Sequence, residues 1–279
     1  MKDRVGMNHV ETIKRLIKTV QASDKMHALL VMGPAGFGKS TAVDEALHQS
    51  KAKMVHLGQY SSPLNFYNSL HEHSAKGVTV VIDDTSGIYS EPSAMALLKA
   101  ATWAQGKPRI LRWGSTTGKA AADEFEFKGK IVIVCNSFPS TSDANAVRSR
   151  AFPYQFEVSE SRARELLIAA AKDPKWFAKS KQALAVAEFL CGILSARTLP
   201  QISYRTLQMG YELAEHNPDD WQLLLRGMIT VEEDDPKKLI LKLAKEKIPV
   251  REQFLRFERA TGMKRRTFFK YRSEMNLSR

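Results

Sequence analysis

The sequence predicts an α/β fold in which helices cover both faces of a mostly parallel sheet, followed by a part that is helical only. The first observation is that five segments of strand length alternate with segments of helical periodicity. They are His27–Met32, Lys53–Leu57, Val78–Ile82, Ile131–Cys135 and Tyr154–Val158. The second is that several of these segments are almost wholly apolar, which is typical of strands buried on both faces. The third is that only helical patterns follow Val158.

Hydrophobic periodicity and proline positions predict the helices. In the first half they are expected over residues 10–23, over 39–50, from Ser62-Pro63 onward and over 91–103. In the second half, helix starts are expected at Ser159 and Pro174, with a break at Pro200. The acidic stretch Glu232–Pro236 is typical of a linker. The chain therefore divides into three predicted domains, residues 1–158, 159–232 and 233–279.

Composition excludes several classes of protein. With 279 residues, 43% hydrophobic and 26% charged, the chain is expected to fold rather than to be disordered or fibrous. No apolar run approaches the roughly 20 residues that span a bilayer, and the first residues do not resemble a secretory signal. Two cysteines, Cys135 and Cys191, are too few for a disulfide framework or a four-cysteine zinc site. We expect a cytoplasmic protein without a membrane partner.

Positive charge is concentrated at the carboxyl end of the chain. Residues 236–279 contain 14 Lys and Arg against 4 Asp and Glu, which accounts for +10 of the formal net charge of +12. Clustered cations displace counterions from phosphates, so the block favours a polyanionic partner, DNA above all. The alternative is a solvated helical face that only promotes solubility.

A glycine-rich motif carries the clearest chemistry. It follows the first strand, opens a helix and has Lys and Ser at the offsets of a phosphate-binding loop. Its residues are Gly33, Pro34, Ala35, Gly36, Phe37, Gly38, Lys39 and Ser40, with Thr41 next in the helix. Backbone N–H groups of such a loop point at phosphate oxygens, Lys39 reaches the β- and γ-phosphates, and Ser40 offers a hydroxyl to Mg²⁺. The motif predicts ATP and Mg²⁺ as cofactors.

Two acidic residues end the third predicted strand, where a phosphate loop needs a partner for its metal. Asp83 is expected to hold Mg²⁺ through water, and Asp84 to orient or deprotonate the attacking water. The alternative is a pair of strand-end acids that cap a turn.

With these motifs, residues 5–215 resemble the AAA+ family of P-loop ATPases. The resemblance implies a three-layer domain with strand order 5-1-4-3-2, a helical lid over 159–232, and assembly into a homo-oligomeric ring or filament. It implies that Asn136, after the fourth strand, is the first sensor, and that Arg148 or Arg150 is an arginine finger reaching a neighbouring subunit. It implies that Arg205, in the lid, is the second sensor, with Arg197 as the alternative candidate. The alternatives are that Asn136 is a simple turn residue and that the arginines are solvated surface side chains.

A hairpin is predicted between the third and fourth strands. Ile110–Trp113 and Phe125–Phe127 can pair across Gly114–Asp123. In replicative members of the AAA+ family, a hairpin at this place projects into the ring and contacts nucleic acid. The alternative is that the alternating phenylalanines only bury one face of the hairpin.

The basic tail is predicted to be a helix-turn-helix DNA-binding domain. Three short apolar stripes of helical spacing are separated by Pro249 and by Thr261-Gly262. The last helix would carry the DNA contacts Lys264, Arg265, Arg266, Lys270 and Arg272. The alternative is a helical cap that packs on the lid.

The function that these features favour is a DNA-associated AAA+ ATPase of DNA replication, acting as a helicase, an initiator or a helicase loader. The compact architecture resembles replication ATPases of phages and mobile elements, whose partners include a replicative helicase, a primase or a transposase. One alternative is an ATP-dependent target selector for a transposase. Another is an ATP-switched, sequence-specific DNA-binding regulator with little turnover.

Overall fold

The computed structural model describes residues 9–85, 87–103, 106–114, 119–229, 236–246, 248–261, 263–275 and 277. The chain forms two compact units, Met1–Leu166 and Leu167–Arg279. The predicted boundary between lid and basic tail falls in 230–235, outside the described residues. The division into three domains therefore stays a prediction.

The first unit contains a five-stranded parallel sheet. The strands of the unit are β1 Ala28–Met32, β2 Lys53–His56, β3 Val78–Asp83, β4 Ile110–Arg112, β5 Glu124–Glu126, β6 Lys130–Cys135 and β7 Phe152–Gln155. The sheet order is β2-β3-β6-β1-β7, and every pair is parallel. The strands β4 and β5 form a separate two-stranded sheet. When the other five strands are numbered 1 to 5 along the chain, the order read from β7 is 5-1-4-3-2, as predicted. The prediction of a mostly parallel α/β sheet is confirmed.

The last strand of the sheet lies earlier in the chain than predicted. β7 pairs with β1 from Leu29, opposite Phe152, to Met32, opposite Gln155. Beyond Met32 the first strand gives way to the glycine-rich loop, so residues after Phe156 have no strand beside them. The predicted segment, 154–158, therefore overlaps β7 only at its start.

The helices of the first unit cover both faces of the sheet. They are α1 His9–Ala22, α2 Lys39–Gln49, α3 Pro63–Glu72, α4 Pro92–Thr102 and α5 Ser142–Arg150, with α6 Glu160–Lys172 passing into the second unit. Ser62 caps α3 by accepting a hydrogen bond from the backbone N–H of Asn65, as its place before proline predicts. The sequence analysis missed α5, which buries only Ala144 and Val147 and so has little apolar periodicity.

The main core lies between the sheet and the helices α3, α4 and α5. Alternate residues of the central strands, such as Leu30, Ile82 and Ile133, pack there with Phe66 and Leu98. The remaining strand residues face the other layer, where α1 packs on α2 and on β1. This burial on both faces fixes the carboxyl ends of β1, β3 and β6 side by side.

The predicted hairpin is present. β4 and β5 are antiparallel, with Leu111 opposite Phe125. The ring of Phe125 makes edge contacts with Tyr67 and His71 of α3, and the hydroxyl of Tyr67 donates a hydrogen bond to the carbonyl of Ala122 (2.9 Å). The strands of the hairpin are thus packed on the domain, and residues 115–118 of its turn lie outside the described part.

The second unit is helical, as predicted. After α6 it contains α7 Ser180–Ile193, a 3₁₀ turn at Leu199–Gln201, α8 Tyr204–His216, α9 Trp221–Met228, α10 Pro236–Lys245, α11 Val250–Thr261 and α12 Arg265–Glu274. The expected break at Pro200 is confirmed. The expected helix start at Pro174 is wrong, because Asp173 accepts hydrogen bonds from the backbone N–H groups of Lys175 and Trp176 and closes a turn there. In the described part of the chain, no helix has the length and apolar character needed to cross a membrane.

Candidate nucleotide site and basic tail

The glycine-rich loop lies between the end of β1 and the start of α2. A Cβ atom on Gly33 would overlap the backbone carbonyl of Phe156, so only glycine fits at this position. Gly38 precedes α2 with a φ of 82°, a left-handed conformation that glycine adopts without strain. The helix α2 therefore begins directly after the loop. The first N–H groups of a helix have no hydrogen-bond partners within the helix. This is the geometry of an anion-binding turn.

Lys39, the first residue of α2, points back across the loop. Its ammonium donates hydrogen bonds to the carbonyl oxygen of Pro34 (2.7 Å) and to Oδ1 of Asn136 (3.0 Å), and the side chain is 6% exposed. The lysine predicted from the motif and the asparagine predicted from the fourth strand are thus in direct contact.

The acidic residues after the strand β3 lie at the same edge of the sheet. Asp83 is the last residue of β3 and is opposite Val134, and the backbone N–H of Asp84 continues the ladder to the carbonyl of Val134 (3.0 Å). Asp84 has a φ of 44°, an uncommon conformation for a residue with a side chain. Nδ2 of Asn136 donates to Oδ2 of Asp84 at 3.3 Å. Asn136 therefore bridges the phosphate loop and the acidic end of β3.

Electrostatics distinguish the groups that can act at this edge from those that cannot. Burial raises the pKa of the Cys135 thiol to about 12, with Asp84 contributing in the same direction and Lys39 and Arg148 opposing it. The thiol is therefore neutral at physiological pH. Burial first, and then Cys135 and Asp84, also raise the pKa of the Tyr89 hydroxyl.

The oxygen atoms at this edge fit Mg²⁺ better than a transition metal. Ser40 lies half-buried in the first turn of α2 and Asp83 ends β3, so a hydroxyl and a carboxylate are the expected ligands. In a nucleotide site, Mg²⁺ takes one or two protein oxygens and completes its shell with water and phosphate. The described residues contain no group of three or more His, Cys, Asp and Glu side chains arranged to hold a metal.

The two candidate arginine fingers, on α5, differ in their surroundings. Arg150 donates a hydrogen bond to the backbone carbonyl of Lys99 on α4 (3.1 Å). The guanidinium of Arg148 lies 5.9 Å from the ring centre of Phe138, and its buried Nε has no hydrogen-bond partner in the described part of the chain. Arg150 is therefore bonded to the backbone of α4, and Arg148 has the less satisfied guanidinium.

The candidate second sensor lies in the other unit. Arg205 is exposed in the first turn of α8, which begins after Ser203 caps the backbone N–H of Thr206. Its approach to a nucleotide stays a prediction.

Sequence reasoning missed one pair of residues beside the loop. The ring of His9 is stacked on Phe156 (centroids 4.2 Å apart), and its ring nitrogens are hydrogen-bonded to the hydroxyl of Tyr154 and the carbonyl of Glu157. Phe156 in turn is the residue that abuts Gly33. Only the tertiary fold brings the start of α1 to the end of β7, so no local pattern could have indicated it.

The three helices of the tail have a core of their own. Ile240, Leu243, Phe257 and Phe268 are buried together, and flanking apolar residues pack against them. The apolar stripes predicted for the tail are therefore the faces that hold α10, α11 and α12 together.

One of the five predicted DNA contacts is wrong. Arg272 is 6% exposed, donates a hydrogen bond to Oε1 of Gln253 (2.6 Å) and lies over the ring of Phe268. It follows Phe268 by four residues and therefore shares the inward face of α12. Its role is to hold α12 against α11.

The other four predicted contacts are exposed. Lys264 precedes α12, Arg265 and Arg266 form its first turn, and Lys270 lies in its second half. Lys264 makes an ion pair with Glu258 (3.2 Å), and Arg265 lies over the ring of Phe269. Three cations at the N-terminus of a helix oppose its dipole, and the first turn contains no acidic residue.

Comparison with known proteins gives a fold and a distant relative. No protein-family model matches the chain. A mutant of RuvB from Thermotoga maritima aligns with 97% of this chain and 88% of its own at 12% identity, with a TM-score of 0.53. A second structure of that protein, described as the RuvB Holliday junction branch migration motor, gives 13% identity over the same shares and a TM-score of 0.50. At this identity the likeness shows the fold alone.

The sequence relative is an uncharacterized 36.7 kDa protein in the nrdC-mobD intergenic region of Enterobacteria phage T4. It is 30% identical over 121 residues, which are 40% of this chain. The chain matches only 36% of that protein's length.

Proposed function

We propose that this chain, which has the fold of AAA+ P-loop ATPases, hydrolyses ATP and couples hydrolysis to an action on DNA. The observation that carries the proposal is the contact of Asn136 with both Lys39 and Asp84. Three side chains that lie far apart in the sequence meet at the carboxyl edge of the sheet, beside the loop that suits phosphate. A simple glycine-rich turn would not require this arrangement.

Each residue has a defined part in the proposed reaction. The loop N–H groups and Lys39 bind the phosphates, and Mg²⁺, held through Ser40 and Asp83, supplies positive charge to them when bound. Asp84 accepts the proton of the attacking water or orients that water. Asn136, fixed by Asp84 on one side and Lys39 on the other, positions the water beside the terminal phosphate.

Steady-state ATP turnover tests the nucleotide site. Lys39→Ala should abolish turnover or tight ATP binding, since it removes the ammonium that faces the phosphates. Lys18→Ala is a matched control, because Lys18 is exposed on α1 and belongs to no proposed site. Undiminished hydrolysis by a folded Lys39→Ala protein would refute the assignment of this site.

The DNA part of the proposal is supported by the tail. Lys264, Arg265 and Arg266 are exposed at the start of α12, where they oppose the helix dipole. Arrangements that cost helix stability are expected where they serve binding. The N-terminal residues of a third helix are also those that reach base edges in helix-turn-helix domains. If the tail were only a structural cap on the lid, these exposed cations would have no function there.

The narrower role that we propose is in DNA replication, as a helicase, an initiator or a helicase loader of a phage or mobile element. The phage relative and the fold shared with RuvB, a branch migration motor, support this assignment. The alternative is a protein that selects targets for a transposase, which would use the same ATPase and DNA-binding domains without unwinding DNA. Strand displacement on a forked DNA substrate separates a helicase from the target selector, because only a helicase releases the strand.

We also propose that the protein acts as a cytoplasmic homo-oligomer, a ring or filament in which Arg148 or Arg150 faces the neighbour's nucleotide. Its partner would be a replicative helicase, a primase or a transposase. An ATP-switched regulator with little turnover would also assemble on DNA. ATP turnover measured with and without DNA distinguishes it, because a switch gives negligible steady-state hydrolysis in both conditions.

A further inference from the structure

A cavity lies at the edge of the sheet that is opposite the phosphate loop. It has a volume of about 760 Å³ and is lined by the residues that precede β1, β3 and β6, by the end of α1 and by the base of the hairpin. The six residues of β6, Lys130–Cys135, separate it from Asn136, which is about 20 Å at the usual rise of a strand. The cavity is therefore distinct from the proposed nucleotide site.

Cations dominate the lining of this cavity. Its charged residues are the cations Lys25, Lys76, Lys107, Arg109, Lys128 and Lys130 and the acids Asp24 and Glu126. With His27 neutral, these six cations and two acids leave a net charge of +4. One acid, Glu126, is already paired with Lys128 at 3.0 Å. The lining therefore carries an excess of positive charge within a volume that suits a small ligand.

Two of the cations are buried in the floor of the cavity, where they are held in place by the backbone. Arg109 is 6% exposed and donates hydrogen bonds to the carbonyl oxygens of Ala101 (2.6 Å) and Gly129 (2.8 Å). Lys130 is 9% exposed and donates to the carbonyl oxygens of Ser23 and Met26 and to Nδ1 of His27. Carbonyl dipoles orient these charges without neutralising them.

Within the described residues, neither Arg109 nor Lys130 has an acidic side chain within ion-pair distance, so Glu126 and Asp24 act on them only from farther away. Burial, and then the charge of Arg109, lower the pKa of Lys130, with Asp24 opposing the shift. Burial lowers the pKa of Arg109 to about 10, with Glu126 opposing the shift. Buried charges of one sign are costly unless a counter-charge joins them.

We propose that this cavity binds the phosphate group of a nucleotide or of a nucleic-acid backbone. The floor supplies the oriented cations, and the exposed Lys25, Lys76, Lys107 and Lys128 form a rim that attracts the anion. Trp103, which also lines the cavity, offers an aromatic face to an attached base. The proposal is independent of ATP hydrolysis and of the tail.

Calorimetric titration with inorganic pyrophosphate tests the proposal on the full-length Lys39→Ala protein, in which the phosphate loop is weakened. The variant Lys76→Glu, Lys107→Glu replaces two rim cations with acids and brings the net charge of the lining from +4 to zero. It should weaken pyrophosphate binding at least tenfold. The matched control, Lys18→Glu, Lys53→Glu, makes the same change of total charge at exposed positions outside the cavity and should leave the affinity within twofold.

Competition then identifies the source of the phosphate. Displacement of pyrophosphate by AMP but not by a single-stranded oligonucleotide supports a free nucleotide, and the reverse supports a nucleic-acid backbone. The proposal is wrong if pyrophosphate does not bind, if neither competitor displaces it, or if the rim and control variants bind it equally. Thermal unfolding of each variant verifies the fold, since both substitutions in each pair are at exposed positions.

Discussion

Asn136 accepts a hydrogen bond of 3.0 Å from the ammonium of Lys39, so the residue after β6 and the first residue of α2 share one contact. Its amide nitrogen donates to Asp84 on the other side. The two bonds fix which end of the amide faces which neighbour. The fold therefore fixes the orientation of the Asn136 amide, as its proposed part in positioning water requires.

Replacement of Asn136 should separate turnover from binding. Asn136→Ala should reduce the rate of ATP hydrolysis by about 10²- to 10³-fold, the usual loss on removing one group that stabilises a transition state. ATP affinity should change little, because the loop and Lys39 remain. Single-turnover hydrolysis together with equilibrium binding of ATP measures both quantities.

Two further variants make this result specific. Asn136→Asp keeps an acceptor for Lys39 but places a carboxylate against Asp84, so it should be as inactive as Asn136→Ala. Asn145→Ala, at an exposed position on α5, should behave like the wild type. Equal loss of ATP affinity and of turnover in the Asn136 variants would instead indicate a structural role.

The candidate fingers should differ in effect. Arg148→Ala should abolish hydrolysis while ATP binding persists, whereas Arg150→Ala should mainly destabilise the protein, because Arg150 is bonded to the carbonyl of Lys99. Mixing Arg148→Ala with Lys39→Ala protein should restore part of the activity, since one kind of mixed interface has both groups intact. Absence of recovery in proven mixed assemblies would place the action of Arg148 within its own subunit.

Much of the nucleotide site could be predicted because its signals are local. The phosphate loop occupies adjacent positions between a buried strand and a helix, and Asp83 and Asn136 each end an apolar strand. Parallel strands bring such ends to one edge, so the contact between Asn136 and Asp84 follows from the topology. What the sequence does not predict is the positive φ of Asp84, whose backbone N–H donates a hydrogen bond to the carbonyl of Val134.

Other features required the tertiary structure. The cavity at the opposite edge of the sheet combines residues from four separate segments, and none of those segments has a recognisable motif alone. The sequence predicts Arg272 as a DNA contact because it belongs to a helix rich in basic residues. Its spacing of four from Phe268 was the signal that it shares the apolar face of α12.

The folded protein should lose stability below neutral pH, in part through His27. Burial, and then the charges of Arg109 and Lys130, lower the pKa of His27 from 6.5 to about 4. Its Nδ1 accepts a hydrogen bond from Lys130, so a proton added there would face an ammonium. The unfolded chain binds that proton below pH 6.5 and the folded chain does not until about pH 4. Stability is therefore full above pH 6.5 and falls as the pH drops towards 4.

Urea unfolding at pH 7.5 and 5.5, in buffers without phosphate, measures this dependence. His27→Asn keeps an acceptor for Lys130 but does not titrate, so the fall in unfolding free energy between the two pH values should be smaller than in the wild type. His216→Asn replaces an exposed histidine and should leave the fall unchanged. An identical fall in all three proteins would show that His27 titrates normally.

Charge reversal at the start of α12 should affect the stability of the tail and its binding to DNA in opposite directions. Arg265→Glu, Arg266→Glu replaces two cations that oppose the helix dipole with acids that complement it, each worth about 0.3–1 kcal/mol. The helix should therefore be at least as stable as in the wild type. Binding to duplex DNA should weaken steeply, and the loss of two phosphate contacts should lower the salt slope of log K by about 1.8.

Matched variants separate this position from charge and from folding. Lys242→Glu, Lys245→Glu makes the same change of net charge at exposed positions on α10, and it should lose much less affinity. Arg272→Ala leaves Oε1 of Gln253 unpaired in the core and should destabilise the tail by about 1–3 kcal/mol. If Arg265→Glu, Arg266→Glu left both the DNA affinity and the salt slope unchanged, the DNA-binding surface would have to lie in the ATPase domain. The tail would then be a structural cap.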